Sequence, residues 1–327
     1  MSLSLTDRMP EVSAHELIAA LVPPPHFDEV SFDNYIPDEK QESQKMALEN
    51  LRAFSAQIQA PRSFWKRRDA ALKGRYLDGG FGVGKTHLLA ALWHDVDMPK
   101  VFGTFVEFTN LVGALGFNET VEALKQFNLV CIDEFELDDP GDTVLMSTLL
   151  MKLVEAGVYL AATSNTLPDR LGEERFAAED FQREIQGLAA HFENLRIDGD
   201  DYRHRGIPNA IETKSNQYLT DFAEGKENTS LDSFTELSKH LAKLHPSRYR
   251  ALVAGIETAC FLDVETITDQ SIALRWVVLA DRLYDLDVRV VTSGVKLDQL
   301  FAPDLLKGGY RKKYRRALSR LIALSQI

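Results

Sequence analysis

Eight consecutive residues, Gly79-Gly80-Phe81-Gly82-Val83-Gly84-Lys85-Thr86, fit the pattern G-x-x-x-x-G-K-[ST]. Each residue type has a mechanical reason. Glycines let backbone N–H groups curl around phosphate oxygens, in conformations that a Cβ would penalise. Lys85 reaches the β- and γ-phosphates, and the Thr86 hydroxyl ligates Mg²⁺. A helix beginning near Lys85 turns its positive N-terminal end toward the anion. The chemistry is binding of ATP with Mg²⁺.

A second run, Leu129-Val130-Cys131-Ile132-Asp133-Glu134, is apolar until it ends in two acids. Asp133 at a strand end can hold Mg²⁺, and Glu134 can polarise an attacking water. Cys131 reads as a buried strand residue rather than a reactive thiol. A third run, Tyr159–Asn165, again passes from apolar to polar. If its strand sits between the other two, Asn165 can orient water near the γ-phosphate. The other reading is an Asn turn ahead of Pro168.

These residues need a scaffold. From Gly74 to about Arg205, short apolar runs alternate with amphipathic stretches. The runs are Arg75–Leu77, Val101–Phe108, Leu129–Asp133 and Tyr159–Thr163. Such alternation predicts an α/β domain with a mainly parallel sheet. The spacing predicts helices over Gln41–Gln59 and Thr143–Ala156, the second stopped by Gly157. Thr213–Ser230 is polar and reads as a loop or linker. Beyond it come a helix (Leu231–Leu244), a strand (Ala259–Val264), a helix (Ile267–Leu283), a strand (Val288–Thr292) and a basic helix near Lys312–Leu324. The organisation expected is an extension over 1–40, a core over 41–205, and a smaller α/β or helical unit over 206–327 with lid-like helices.

Composition narrows the class. The chain has 327 residues, 45% of them hydrophobic and 26% charged, which excludes a disordered, collagenous or membrane-embedded chain. A net charge of -12 argues against broad binding to nucleic acid or anionic membrane. Two isolated cysteines, Cys131 and Cys260, suggest a reducing compartment, and a cytoplasmic location is expected. No apolar run approaches the roughly 20 residues of a spanning helix. His87, His191, His204, His240 and His245 show no metal-ligand spacing, so no metal beyond Mg²⁺ is expected. Lys66-Arg67-Arg68 reads as a solvated loop or as a phosphate or partner contact. Lys307, Arg311, Lys312, Lys313, Arg315, Arg316 and Arg320 form a basic cluster interleaved by Tyr310 and Tyr314, read as a solvated helix or as a site for nucleic acid or acidic protein.

The three runs in this order resemble an AAA+ ATPase core. Cys131-Ile132-Asp133-Glu134-Phe135, Asp138–Asp142, Ala162-Thr163-Ser164-Asn165 and Pro168 look like the ZapE cell-division ATPases, close to the mitochondrial ATPases named after the yeast Afg protein. Phe181-Gln182-Arg183, Asp201–Arg205, Leu279–Asp285 and Ser319-Arg320-Leu321 extend the resemblance, which runs from about Tyr35 to Ile327. The stretch Ala210–Arg250 departs from the family pattern, Phe81 stands in its glycine-rich loop, and Ile322-Ala323 follows Ser-Arg-Leu where the family has Glu-Met.

The resemblance implies an arginine supplied across a subunit interface, hence a homo-oligomer with shared active sites. Arg183 is the first choice for it and Arg203 the second. Arg183 could otherwise pair with Glu179 or Glu184 at the surface. Arg320 would be a lid-side sensor of nucleotide, or else part of a solvated face. The implied function is Mg²⁺-dependent ATP hydrolysis that regulates or remodels a protein partner, the FtsZ ring of the division machinery. The alternative is a helicase-loader-like switch that binds nucleic acid, supported by Asp201-Tyr202-Arg203 and the basic C-terminus.

Overall fold

The computed structural model describes residues 3–60, 73–80, 82–135, 140–166, 186–187, 189–199 and 212–326. The chain forms two compact units, one of Ala14–His204 and one of Met1–Ser13 with Arg205–Ile327. Residues 1–40, read from the sequence as one extension, are thus shared between the units.

The first unit contains α1 (Ala14–Ala19), α2 (Glu42–Gln59), β1 (Gly74–Gly79), α3 (Lys85–Asp95), β2 (Lys100–Thr104), α4 (Phe105–Leu115), α5 (Phe117–Leu124), β3 (Leu129–Asp133), α6 (Pro140–Ala156), β4 (Tyr159–Ser164) and β5 (Phe192–Ile197). Its described strands make one five-stranded sheet in the order β2-β3-β4-β1-β5. Every pairing is parallel. Both faces are covered, so both residue parities of the inner strands are apolar. Tyr76, Val130, Ile132 and Leu160 pack beneath α4, α5 and α6. Leu77, Leu129, Cys131 and Ala161 pack on the opposite face beneath α2 and α3. Leu88 to Leu92 of α3 are all buried, which suits a helix covered on several sides.

The expected strand over Val101–Phe108 stops at Thr104. There the Thr104 hydroxyl accepts from the Glu107 N–H, and the Glu107 carboxylate accepts from the Thr104 N–H. This capping box starts α4 and overrides the apolar run. β5 is absent from the expected runs because its residues alternate between buried and exposed at the sheet edge. In β1 the buried Arg75 is held by Glu193 at 3.2 Å and Asn50 at 2.7 Å, over the Phe54 ring. Burial lowers its pKa, and Glu193 works against that.

The second unit holds α7 (Asn216–Ala223), β6 (Thr229–Ser233), α8 (Phe234–Leu241), α9 (Tyr249–Val253), β7 (Thr258–Val264), α10 (Gln270–Asp285), β8 (Arg289–Gly294) and α11 (Arg311–Ser325). Its described strands form a parallel sheet, β6-β7-β8. Of the two expectations for this region, α/β and helical, the first holds. The expected linker Thr213–Ser230 contains α7, capped by Ser215. The expected helix Leu231–Leu244 is split: Leu231 lies in β6, and the Ser233 hydroxyl accepts from Glu236 N–H to start α8 one residue later. The N-terminus is stitched to this unit. Leu3 bridges Ser230 in parallel fashion. The Asp232 carboxylate accepts from the Ser4 hydroxyl and the Leu5 N–H, both at 2.8 Å.

Candidate functional site

The site lies where β1, β3 and β4 end. In a parallel sheet these are the carboxyl ends, where open α/β folds bind ligands. β4 lies between β1 and β3. The condition placed on Asn165 is therefore met, and the three sequence runs converge.

The glycines are required locally. A Cβ on Gly79 would fall 2.2 Å from the Ile197 carbonyl oxygen of β5. Gly84 caps α3 with φ +90°, and a Cβ there would lie 2.8 Å from the Tyr35 ring. No L side chain fits either place without backbone movement. Val83 is buried, which anchors the loop to the core.

Lys85 opens α3 with its side chain largely buried. Its ammonium donates to the Gly79 carbonyl at 3.0 Å, to the Gly80 carbonyl, and to Asn165 Oδ1 at 3.0 Å. It is thus held among oxygen acceptors beside the loop, and phosphate oxygens could take the place of such acceptors. Thr86 Oγ1 donates to Asp133 at 3.1 Å. The Thr163 hydroxyl also donates to Asp133 and accepts from Glu134 N–H at 3.0 Å. Phe135 N–H donates to the Thr163 carbonyl at 2.7 Å, so the end of β3 is clamped to β4. Glu134 itself stands at φ 54°, the left-handed region that only a minority of non-glycine residues adopt.

Burial raises the Asp133 pKa, and the neighbouring Glu134 charge raises it further; hydrogen bonds from Thr163 and Thr86 oppose both. Such a carboxylate calls for a compensating cation. Thr86 Oγ1 and the Asp133 carboxylate are hard oxygen donors within 3.1 Å of each other, a set that fits Mg²⁺. Among the described residues no group of His, Cys, Asp and Glu forms another candidate metal centre.

Two features escaped the sequence reading. The segment preceding α2 lies against the start of α3. His87 Nε2 is 3.1 Å from Asn34 Oδ1, and the His87 and Tyr35 rings meet edge-on at 5.3 Å. Burial lowers the His87 pKa, with a bond to the Ser31 carbonyl acting in the other direction. In addition, Asp78, fully buried beside the loop, accepts from Arg196 Nη1 at 2.6 Å. The Asp78 signal was available, as an acid ending an apolar strand. Tyr35 gave none, because only the fold brings it to Gly84.

Phe81, Arg183, Arg203 and the run Lys66-Arg67-Arg68 lie outside the described residues. Arg320 lies on α11 of the second unit, where it donates to Asp281 and sits over the Tyr284 ring at 5.1 Å. The Cys131 thiol is fully buried and its pKa is raised, chiefly by that burial, so it is not a reactive thiol.

A family model described as AFG1-like ATPase matches residues 11–224 and 220–327. The cell division protein ZapE of Escherichia coli (strain K12) is 28% identical over 306 residues, 79% of this chain and 80% of that protein. Among solved structures, AMPPCP-bound DnaA from Aquifex aeolicus is 16% identical with a TM-score of 0.41, covering 54% of this chain and about half, 51%, of that one. Domain III of the Thermotoga maritima replication initiation protein DnaA is 15% identical with a TM-score of 0.40, covering 80% of this chain and 90% of that one.

Proposed function

The chain belongs to the AFG1-like ATPase family, and on that premise we propose that it couples Mg²⁺-dependent ATP hydrolysis to regulation or remodelling of a protein partner in the division machinery. ATP hydrolysis follows from the family. The observation that supports the site is the meeting of Lys85 with Asn165, and of Thr86 with Asp133, at adjacent strand ends.

In this reading the Gly79–Thr86 loop and the α3 N-terminus bind the phosphates, and the Lys85 ammonium offsets their charge. Thr86 and Asp133 would hold Mg²⁺, which would supply positive charge to offset that of the phosphates. The Glu134 carboxylate takes a proton from water as its oxygen attacks the γ-phosphorus. The bond to the bridging oxygen breaks, and ADP leaves with that electron pair. Asn165 orients the water or the γ-phosphate. A second positive charge comes from Arg183, with Arg203 the next choice, across the interface of a homo-oligomer. Arg320 is the proposed lid-side sensor of nucleotide state.

The name of the Escherichia coli relative, a cell division protein, supports a partner in division; the FtsZ ring protein as that partner, and a cytoplasmic location, are our reading from the family resemblance. Among the described residues no helix is long and apolar enough to cross a membrane. The test is ATP turnover of the full chain with and without Mg²⁺, then with purified ring protein or single-stranded DNA added. Turnover that needs Mg²⁺ and responds to the ring protein is expected. Stimulation by DNA alone would favour the helicase-loader-like switch.

A further inference from the structure

From Lys307 to Arg320 the chain carries seven cations and no acid, within a protein of net charge -12. Five of these cations fall into two sets. Arg316 and Arg320 both donate to the largely buried Asp281 on α10, Arg316 at 2.8 Å. Lys307, Arg311 and Arg315 are exposed. Among the described residues no carboxylate makes an ion pair with any of the three.

Elementary electrostatics disfavours this second set. Arg311 and Arg315 are like charges one helical turn apart, which repel. Arg311 also opens α11, where a cation meets the positive end of the helix dipole. Among the described residues no ion pair offsets these costs. Positions that break a local rule without a structural return are those where function is expected.

We propose that Lys307, Arg311 and Arg315 form a docking surface for a short acidic peptide of a partner protein. The tyrosines of the cluster argue against nucleic acid. Tyr314 is only 1% exposed and packs on Phe301 with ring centroids 4.9 Å apart. One face of Tyr310 already carries the Lys313 ammonium at 5.2 Å. The cluster therefore offers at most one face of a single half-buried ring, not the series of aromatic faces on which successive bases stack. A short acidic segment stays within the local positive field, because salt screens charges beyond about 10 Å at 0.1 M. Among the described residues no exposed large hydrophobic side chain lies between 303 and 326, so an apolar anchor for a membrane surface is missing there.

This surface deepens the protein-partner reading and rests on it. The test is fluorescence anisotropy of the full chain with a labelled polyglutamate peptide and, separately, with oligothymidylate of matched charge. The comparison protein carries Lys307→Glu, Arg311→Glu and Arg315→Glu. Wild type should bind the peptide saturably at low salt, and the triple variant should bind about tenfold more weakly or worse. No peptide binding by wild type, equal binding by the variant, or tighter binding of oligothymidylate would each overturn the proposal. Basal ATP turnover, read in the same samples, should be unchanged in the variant and reports separately on the ATPase reading.

Discussion

The ammonium of Lys85 lies 3.0 Å from the side-chain oxygen of Asn165, 80 residues further along the chain. The two meet because β4 is inserted between β3 and β1. Phosphate binding and the group proposed to orient water are thereby coupled through one hydrogen bond. Lys85→Ala should weaken ATP binding by about 1.5–3 kcal/mol, the range for a charge-assisted contact. Asn165→Ala leaves Lys85 its loop carbonyls, so affinity should change little while turnover falls. Titration calorimetry and steady-state rates separate the two effects. A folded Lys85→Ala protein that bound and hydrolysed ATP like wild type would refute the role given to the loop.

The Glu134 backbone is held at φ 54° by its neighbours, with its N–H bonded to Thr163. Glu134→Gln keeps the shape and the turn but removes the basic carboxylate. Loss of a general base typically costs about 10²–10⁴-fold in rate. Near-normal nucleotide affinity with strongly reduced turnover is expected. Equal turnover in the two proteins would exclude Glu134 as the water-activating group and direct attention to Asp133.

The runs that form the candidate nucleotide site were legible because each is local. Loop, acidic strand and Asn strand are each one short run, and a buried parallel strand shows its apolar character without any partner in view. What stayed hidden depends on contacts distant in sequence. Tyr35 reaches Gly84 only through the path of the segment before α2. Asp232 binds Ser4 and Leu5 across more than 220 residues, and no periodicity encodes that. Other differences came from capping chemistry outweighing apolar spacing. Thr104 with Glu107, and Ser233 with Glu236, each start a helix inside a run that reads as one element.

Asp281 gives the second unit a defined acid sensitivity. Burial alone would raise its pKa, but Arg316, Arg320 and Arg282 together overcome that and hold it below the usual carboxylate range. A carboxylate depressed on folding stabilises fully above its unfolded pKa, about 3.9 for Asp. That contribution is lost as pH falls through the folded value. Asp281→Asn should therefore destabilise the protein at neutral pH, by about 1–3 kcal/mol because the arginines are partly solvated. The gap to wild type should narrow below about pH 4. Urea unfolding at several pH values reads it out, and a gap that stayed constant into acid would rule out the charge as its source.

In the proposed reading the loop, Asp133 and Glu134 supply the anion site, the metal ligand and the base, but not a second cation at the γ-phosphate. The resemblance implies an arginine supplied by a neighbouring subunit, for which Arg183 is the first choice and Arg203 the second. If Arg183 acts in this way, specific activity should rise with protein concentration as the assembly forms. Arg183→Ala should lower turnover by about 10³-fold or more, as expected for a supplied arginine, with little loss of ATP affinity. Mixing then separates a shared site from a self-contained one. Arg183→Ala and Lys85→Ala are each expected to be inactive alone. A mixed assembly contains interfaces that join an intact loop from one subunit to an intact arginine from the next. Partial recovery on mixing is the expected result, with a yield that follows the fraction of such interfaces. No recovery, together with a wild-type rate independent of concentration, would identify a self-contained ATPase and leave Arg183 a structural residue.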